Sequence, residues 1–239
     1  MRDNSFKADN SFIADSPKVV NLILESDIKL KSILATKEYY DEYQELIDKK
    51  DIPIKYITTK EQMKKIVGHK IHHNCMLHGI RPDDISIEKI GVKAVLLDGI
   101  TSSENVGSIV RSCAAMCVDT LMISKETPHP FNRRALRVSM GHSSLINTHI
   151  YKDIKESIIY LQSLGYKVYA AEVSEDAVAL SQVKVSQKWV LILGHEGRGI
   201  SDDILSLCDE VVTIEMQEGI KSFNVSVAGA IILYQFNKR

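Results

Sequence analysis

Three polar loops carry most of the residues that could bind a ligand or take part in chemistry. They span 98–105, 194–199 and 215–224, and each follows an apolar stretch of strand length. Glycines in the middle loop, at 194, 197 and 199, would let its backbone approach a ligand closely. The spacing is not G-x-G-x-x-G and no P-loop Lys-Ser/Thr pair follows, so neither a Rossmann nor a Walker site is supported. In an open parallel sheet, ligands bind beyond the carboxyl ends of the strands, so neighbouring strands would bring the three loops to one rim.

A second candidate site is the basic segment within 125–140. Its arginines are Arg133, Arg134 and Arg137, with Lys125 and His129 close in sequence. The formal net charge of the chain is -1, so a nucleic acid would have to meet a local basic patch. Guanidinium groups bind phosphate well, and these three arginines are therefore our candidate contacts to a nucleic acid. A solvated surface loop explains the same pattern and stays an alternative.

Metal and redox chemistry find less support. Histidines occur at 69, 72, 73 and 78, but only Cys75 accompanies them and their spacing matches no standard metal site. We expect ordinary surface and packing histidines, and no metal. The four cysteines form no C-x-x-C pair, which is typical of reduced cysteines in a cytoplasmic protein. No apolar run reaches the length of a membrane span, so we predict a soluble, cytoplasmic chain.

The elements that must position the three loops are alternating strands and helices. Apolar runs at 92–97 and 188–193 suit central parallel strands that are covered on both faces. Between the first run and the next strand, at 119–123, apolar residues recur at 106, 109, 110, 113, 114 and 117, which is helical spacing. This pattern predicts an α/β domain over 91–239, with a parallel sheet and helices on both faces.

Residues 1–90 predict a smaller α/β domain. Residues 1–15 are expected to be a mobile leader or to contain a first short strand at 12–14. Further strands are expected near 29–35 and 52–57, with a helix after Pro17 and a charged helix over 38–49. Thr59 and Gln62 fit a capping box at the start of a further helix.

The last stretch, 214–236, has a polar half and an apolar half. Asn224 is a good N-cap for a helix that carries the apolar residues. These residues do not keep to one stripe, and a helix that is apolar nearly all round must be covered on most sides. We expect the helix to meet its own core and a second subunit, although an ordinary buried final helix also fits.

Three ordered motifs resemble those of a known family. N-V-G-S-I-V-R at 105–111 resembles the N-x-G-x-x-x-R of motif one, and L-G-H-E-G-R-G-I at 193–200 resembles the G-x-E-x-x-G element. S-F-N-V-S-V-A at 222–228 resembles S-L-N-V-S-V-A. The family is the SpoU (TrmH-like) RNA ribose 2′-O-methyltransferases of the SPOUT superfamily. The chain departs from it at Ser103-Glu104, Glu215 and Phe223, and none of these changes removes a polar group expected to do chemistry.

The resemblance implies a trefoil-knotted α/β methyltransferase domain at 91–239 that works as a homodimer with S-adenosylmethionine. Residues 1–90 resemble the family's substrate-binding domain, and would bind RNA. The implied cofactor contacts are Gly194, Gly199, Ile214, Met216 and Phe223. The implied catalytic residues are Arg111, Asn105, Glu196, Ser222 and Asn224.

Each implied catalytic residue has an expected role. Arg111 would orient the target phosphate and stabilise the developing alkoxide, because its very high pKa makes it a poor general base. Asn105 and Glu196 would position Arg111 and the loops, while Ser222 and Asn224 would orient the nucleotide. The simpler structural roles are helix N-capping for the two asparagines and a surface carboxylate at a helix start for Glu196.

The resulting hypothesis is methyl transfer to a ribose 2′-hydroxyl, of ribosomal RNA rather than transfer RNA. The first alternative is a catalytically silent, RNA-binding knotted dimer. The second is a nucleotide-binding metabolic enzyme, which the basic segment disfavours because a small nucleotide does not need it.

Overall fold

The computed structural model describes residues 9–67, 73–174 and 176–238, which form two compact units. The first unit comprises residues up to 83 together with 131–145, and the second comprises 84–130 and the residues from 146 onward. This division differs from the predicted boundary at 90/91. Phe131 and Leu136 are buried in the core of the first unit, which explains why their segment belongs there. The Ile85 amide donates to the Thr148 carbonyl at 2.8 Å, which ties the residues after 83 to the second unit.

The described strands, in chain order, are β1 (Ser11–Asp15), β2 (Leu30–Thr36), β3 (Ile54–Thr58), β4 (Cys75–Ile80), β5 (Lys93–Leu97), β6 (Thr120–Ile123), β7 (Asn147–Ile150), β8 (Lys167–Ala171), β9 (Val178–Ala179), β10 (Trp189–Leu193) and β11 (Glu210–Thr213). The described α-helices are α1 (Pro17–Glu25), α2 (Lys37–Glu42), α3 (Gln44–Asp48), α4 (Lys60–Val67), α5 (Ser103–Ala115), α6 (Arg133–Val138), α7 (Ile154–Ser163), α8 (Asp202–Leu205) and α9 (Val225–Phe236).

The first unit is built on a mixed sheet with the described strand order β1-β4-β2-β3. β2 and β3 are parallel, while β4 runs antiparallel to both β1 and β2. The expected strands in this part are confirmed, but β4 was not predicted, although its residues alternate between buried and half-buried. The expected charged helix at 38–49 is wrong in one respect, since Tyr43 separates two short helices there. The capping box is confirmed, because Thr59 and Gln62 each accept the other's amide at 3.3 Å.

The second unit confirms the predicted α/β class with a parallel sheet. Its described strands are ordered β7-β6-β5-β10-β8-β11-β9, and every neighbouring pair is parallel. Ile158 of α7 and Ile204 of α8 share a core cluster with Ala94 and Leu96 of β5, so these two helices cover one face. The two-residue strand β9 was not predicted.

The C-terminal helix α9 covers the opposite face. Phe236 packs edge-on against Trp189 of β10 and Tyr169 of β8, with ring centroids 5.2 and 4.9 Å apart. The helix α5 also packs against α9. Helices therefore lie on both faces of the sheet, as expected for a sheet whose central strands are apolar throughout.

The sheet order brings the three polar loops together at the carboxyl ends of the strands. β5 and β10 are neighbours, and the Asp98 amide after β5 donates to the Leu193 carbonyl at 2.9 Å. β8 lies between β10 and β11, so its end contributes a further wall that the sequence did not indicate. None of the helices in the described ranges has the length and apolar character that crossing a bilayer requires.

Candidate functional site

A cleft of about 560 Å³ opens at the carboxyl ends of β8, β10 and β11. Its walls come from these strand ends, from the glycine-rich loop 194–199 and from the start of α9. Small-molecule sites in proteins usually measure roughly 300 to 1,000 Å³. The cleft therefore has the size of a small-molecule site, and it lies where open parallel sheets bind ligands.

The glycine-rich loop folds back on itself beside this cleft. The Gly199 amide donates to the His195 carbonyl at 2.9 Å. A Cβ atom on Gly194 would lie only 2.7 Å from the carbonyl carbon of Gly199. Gly199 itself has a φ of +65°, and a Cβ there would also clash with Oε2 of Glu172. These two glycines are therefore required by close backbone approach and by a left-handed conformation.

Glu196 ties the glycine-rich loop to the loop before α5. Its Oε1 accepts hydrogen bonds from Nδ2 of Asn105 at 2.8 Å and from the Ser102 amide at 3.3 Å. Burial raises the pKa of the Glu196 carboxyl, but the bond from Asn105 and those from backbone amides outweigh it and lower the pKa below its ordinary value. Glu196 is thus an ionised linker between two loops rather than a solvated surface carboxylate.

Asn105 connects this link to the third loop. It is only 9% exposed, and its Oδ1 accepts from Nδ2 of Asn224 at 3.1 Å. Asn224 also caps α9, because its Oδ1 accepts from the Ser226 amide at 2.9 Å. The expected capping role of Asn224 is confirmed, whereas α5 is capped by Ser102 and not by Asn105. Asn224, Asn105 and Glu196 thus form one hydrogen-bonded chain that joins all three polar loops.

The structure places most of the predicted site residues in or beside the cleft. The five predicted cofactor contacts all line it: Gly194, Gly199, Ile214, Met216 and Phe223. Glu196, Ser222 and Asn224 line it as well. Asn105 lies behind Glu196, as its hydrogen bond shows.

Arg111 is the exception among the predicted catalytic residues. It lies in α5 with an exposed side chain, and it does not line the cleft of its own chain. Within the described ranges, its guanidinium forms neither an ion pair nor a hydrogen bond. One chain therefore does not bring Arg111 to the cleft.

The three predicted RNA-binding arginines lie in the first unit, on α6. The alternative of a surface loop for this segment is wrong for 133–138, which is helical. Nε of Arg133 and Nε of Arg137 donate to the two oxygens of the buried Asp15, at 2.8 and 2.9 Å. Two of the three arginines are thus held against a carboxylate, while Arg134 is exposed.

These ion pairs set the state of Asp15. Its burial raises the pKa, but the hydrogen bonds from Arg137 and Arg133 outweigh this effect and lower the pKa below its ordinary value. Asp15 is therefore ionised at neutral pH, and the pair of arginines joins α6 to β1. Whether these arginines also contact RNA stays a prediction.

The histidine group is only partly visible, because His69 and His72 lie outside the described residues. In the part of the chain that the structure describes, no three His, Cys, Asp or Glu side chains are grouped so that they could hold a metal ion.

Glu172, which follows β8, was missed by the sequence analysis. It lines the cleft, and its Oε2 accepts from the Ile200 amide at 2.9 Å, while its Oε1 accepts from the Val173 amide at 3.0 Å. The available signal was an acidic residue directly after an apolar strand of the parallel sheet. It went unused because no family motif covers this position.

The helix α9 presents an apolar stripe outward. Val227, Ile231 and Tyr234 are 46%, 36% and 57% exposed, and their spacing of four and three residues places them on one side. The opposite side, with Leu233 and Phe236, is buried. The helix is therefore apolar on two sides, of which its own chain covers one.

Comparison with known proteins places this geometry in a family. The model of the SpoU rRNA Methylase family matches residues 93–234. An uncharacterised tRNA/rRNA methyltransferase of Mycobacterium tuberculosis is 27% identical over 229 residues, covering 93% of this chain and 79% of that protein. The tRNA (guanosine(18)-2′-O)-methyltransferase of Thermus thermophilus is 29% identical over 145 residues, covering 61% of this chain and 74% of the relative.

Solved structures share the fold over nearly the whole chain. The crystal structure of an AdoMet-bound rRNA methyltransferase from Sinorhizobium meliloti superimposes with a TM-score of 0.83 at 18% identity, covering 98% of this chain and 90% of that one. The similarity thus extends over the described parts of both units.

Proposed function

Because the chain belongs to the SpoU rRNA methylase family, whose model covers most of its second unit, we propose that it transfers a methyl group from S-adenosylmethionine to a ribose 2′-hydroxyl of ribosomal RNA. The observation that carries the proposal is the cleft, where three family motifs meet and are joined by the Asn224–Asn105–Glu196 chain.

The residues of the cleft fit S-adenosylmethionine. The glycine-rich loop exposes backbone without side chains, which suits hydrogen bonding to a nucleoside, and Ile214, Met216 and Phe223 provide apolar surface for adenine. When bound, the cofactor supplies a methyl group on a positively charged sulfur. The protein's task is then to hold the acceptor hydroxyl in line and to exclude water.

The polar chain would preorganise the loops for this task. Glu196 is ionised, and its acceptor positions are engaged by Asn105 and by backbone amides, so it serves as a fixed linker rather than as a proton acceptor. Asn224 is held at the rim of the cleft by Asn105, and Ser222 lies two residues before it. We assign to Ser222 and Asn224 the orientation of the target nucleotide.

A homodimer would explain the position of Arg111. The exposed stripe on α9 is of the kind that interfaces cover, and α5, which carries Arg111, packs against α9. We propose that two chains pair through this stripe and that Arg111 serves the cleft of the partner. There it would orient the RNA phosphate and stabilise the developing alkoxide.

Ribosomal RNA is the favoured substrate because both units have counterparts in a solved structure named as an rRNA methyltransferase, whereas the tRNA methyltransferase relative matches 61% of the chain. We assign RNA binding to the first unit, with Arg134 the best placed of the three arginines because it is exposed. The cytoplasmic location stays a prediction of the sequence, and the trefoil knot stays a prediction of the family resemblance.

The test is transfer of tritiated methyl groups from S-adenosylmethionine to purified ribosomal RNA and, separately, to transfer RNA. We expect label on ribosomal RNA, recovered as 2′-O-methyl nucleosides after digestion, and little label on transfer RNA. Arg111→Ala should lower the rate at least about a hundredfold without changing cofactor affinity, as removal of a transition-state contact does. Full activity of that variant would remove Arg111 from the mechanism.

The competing hypothesis is a catalytically silent RNA-binding dimer. It predicts that calorimetric titration with S-adenosylmethionine gives no heat of binding while RNA is still retained. The intact cleft, with all five predicted cofactor contacts along its walls, favours the enzyme.

A further inference from the structure

Two carboxylates line the cleft within the described residues, Glu172 and Glu196, and they differ in what they bind. Oε1 of Glu196 accepts from both Asn105 and Ser102, and its Oε2 faces the Thr101 amide at 3.5 Å. All three partners belong to the loop before α5 and to α5 itself. Protein donors thus use three of the about four acceptor positions of Glu196, whereas the described donors to Glu172 use two.

Glu172 first acts on the glycine-rich loop. Its Oε2 accepts the Ile200 amide at the end of that loop, and the same oxygen occupies the space where a side chain on residue 199 would begin. Its own amide donates to the Val212 carbonyl of β11 at 3.2 Å, so the residue is fixed at its backbone as well. Glu172 thereby links the ends of β8 and β11 to the loop on β10.

Glu172 also keeps one acceptor position on each oxygen. An ionised carboxylate offers about four lone-pair sites, and the amides of Ile200 and Val173 use one site on each oxygen. Because Glu172 lines the cleft, a ligand in the cleft can donate hydrogen bonds to its remaining acceptor positions. A ligand that fills the cleft would cover these acceptor positions, and covering polar atoms without a hydrogen bond costs free energy.

We propose that Glu172 binds the ribose of S-adenosylmethionine, with its two carboxylate oxygens accepting from the 2′- and 3′-hydroxyls of the cofactor. The match lies in the number and type of groups, since a vicinal diol brings two neighbouring donors to two neighbouring acceptors. The inference rests on the proposed cofactor. It makes Glu172 a cofactor-binding residue that simultaneously holds the glycine-rich loop.

The experiment measures dissociation constants by calorimetry for wild type and Glu172→Gln, using three ligands. They are S-adenosylhomocysteine, its 2′,3′-dideoxyribose analogue, and 5′-methylthioadenosine, which keeps the ribose but lacks the amino acid. We expect Glu172→Gln to weaken S-adenosylhomocysteine and 5′-methylthioadenosine at least about tenfold, the scale of a hydrogen bond to a charged acceptor. The dideoxy analogue should lose clearly less affinity than the two ribose ligands, because it has no hydroxyl donor to lose and reports only the change in loop positioning.

Asp176→Asn is the matched control, because it makes the same acid-to-amide change on an exposed residue that does not line the cleft. It should bind all ligands like wild type. Hydrogen exchange of the loop amides at 194–200, measured without ligand, reports the positioning role separately, and Glu172→Asp tests whether a retained charge restores ribose binding.

Three outcomes would overturn the proposal. An equal loss for the dideoxy analogue would leave Glu172 with loop positioning alone. A loss confined to S-adenosylhomocysteine would move its partner to the amino group of the cofactor. Unchanged affinities would remove it from the site. If wild type binds none of the ligands, it is the proposed function that fails.

Discussion

Asn105 should be the most sensitive polar residue of the second unit, because it is buried and bonded on both sides of its amide. Asn105→Ala removes the 2.8 Å bond to Glu196 and the 3.1 Å bond from Asn224. A bond to a charged group is worth roughly 1.5 to 3 kcal/mol and a neutral one about 0.5 to 1.5 kcal/mol. We therefore expect a loss of about 2 to 4 kcal/mol in the free energy of unfolding.

The assay is urea unfolding followed by circular dichroism, with calorimetric titration of S-adenosylhomocysteine in parallel. The second measurement should show weaker binding, because the loops that wall the cleft lose their common link. Ser112→Ala is the control on the same helix, since among the described residues its hydroxyl bonds only to the Ser108 carbonyl, at 3.1 Å. It should cost less than about 1 kcal/mol and leave binding unchanged.

A double-mutant cycle with Glu196→Gln isolates the link itself. Residues in direct contact show interaction energies of about 0.5 to 3 kcal/mol, whereas independent sites add. If the two substitutions add within about 0.3 kcal/mol, or if Asn105→Ala costs no more than the Ser112 control, the chain of polar contacts does not hold the loops together and our reasoning about the site is wrong.

Three further predictions address other parts of the molecule. Gly199→Ala should cost at least about 1 to 2 kcal/mol of stability and weaken cofactor binding in calorimetry, because residue 199 is left-handed and abuts Glu172; wild-type behaviour would refute the tight-loop description. Asp15→Asn should cost about 2 to 3 kcal/mol in urea unfolding at pH 7, below the roughly 3 to 5 kcal/mol of a fully buried pair, since the Arg137 side chain is 38% exposed. Folding lowers the pKa of Asp15, so the ion pairs stabilise the protein fully above the ordinary Asp pKa near 4 and lose this effect as the pH falls towards the folded-state pKa. The difference in the free energy of unfolding between wild type and Asp15→Asn should therefore shrink in acid. A difference that does not change with pH would count against the ion pair. Ile231→Lys should shift the protein to monomers in sedimentation and abolish methyl transfer while leaving cofactor affinity intact, because it places a charge in the apolar stripe of α9; an unchanged dimer would place the interface elsewhere.

Local sequence patterns determined much of the secondary structure. Caps at Thr59 and Asn224 mark helix starts that the structure reproduces. The apolar runs around 93–97 and 189–193 predicted the central strands, because a parallel strand buried on both faces leaves no room for alternation. Helix caps and apolar runs depend on residues that are close in the sequence, so they can be predicted from the sequence alone.

The motifs also indicated which loops belong to the site, but not how they are joined. The order of strands in the sheet sets the distances between the three loops. Asn105 can bond to both Glu196 and Asn224 because these distances are short. Glu172 escaped notice for the same reason, since its partners Ile200 and Gly199 become its neighbours only when β8 lies beside β10.

The sequence by itself determined the fold class of the second unit, its main strands and helices, and which loops contribute to the cleft. The tertiary structure decided which charged groups pair with one another in the folded chain. The arginines of α6 look alike in sequence, yet two of them are held by Asp15 from a strand more than a hundred residues earlier. Pairing across such a distance follows from packing, because no local pattern shows which carboxylate will be buried beside which guanidinium.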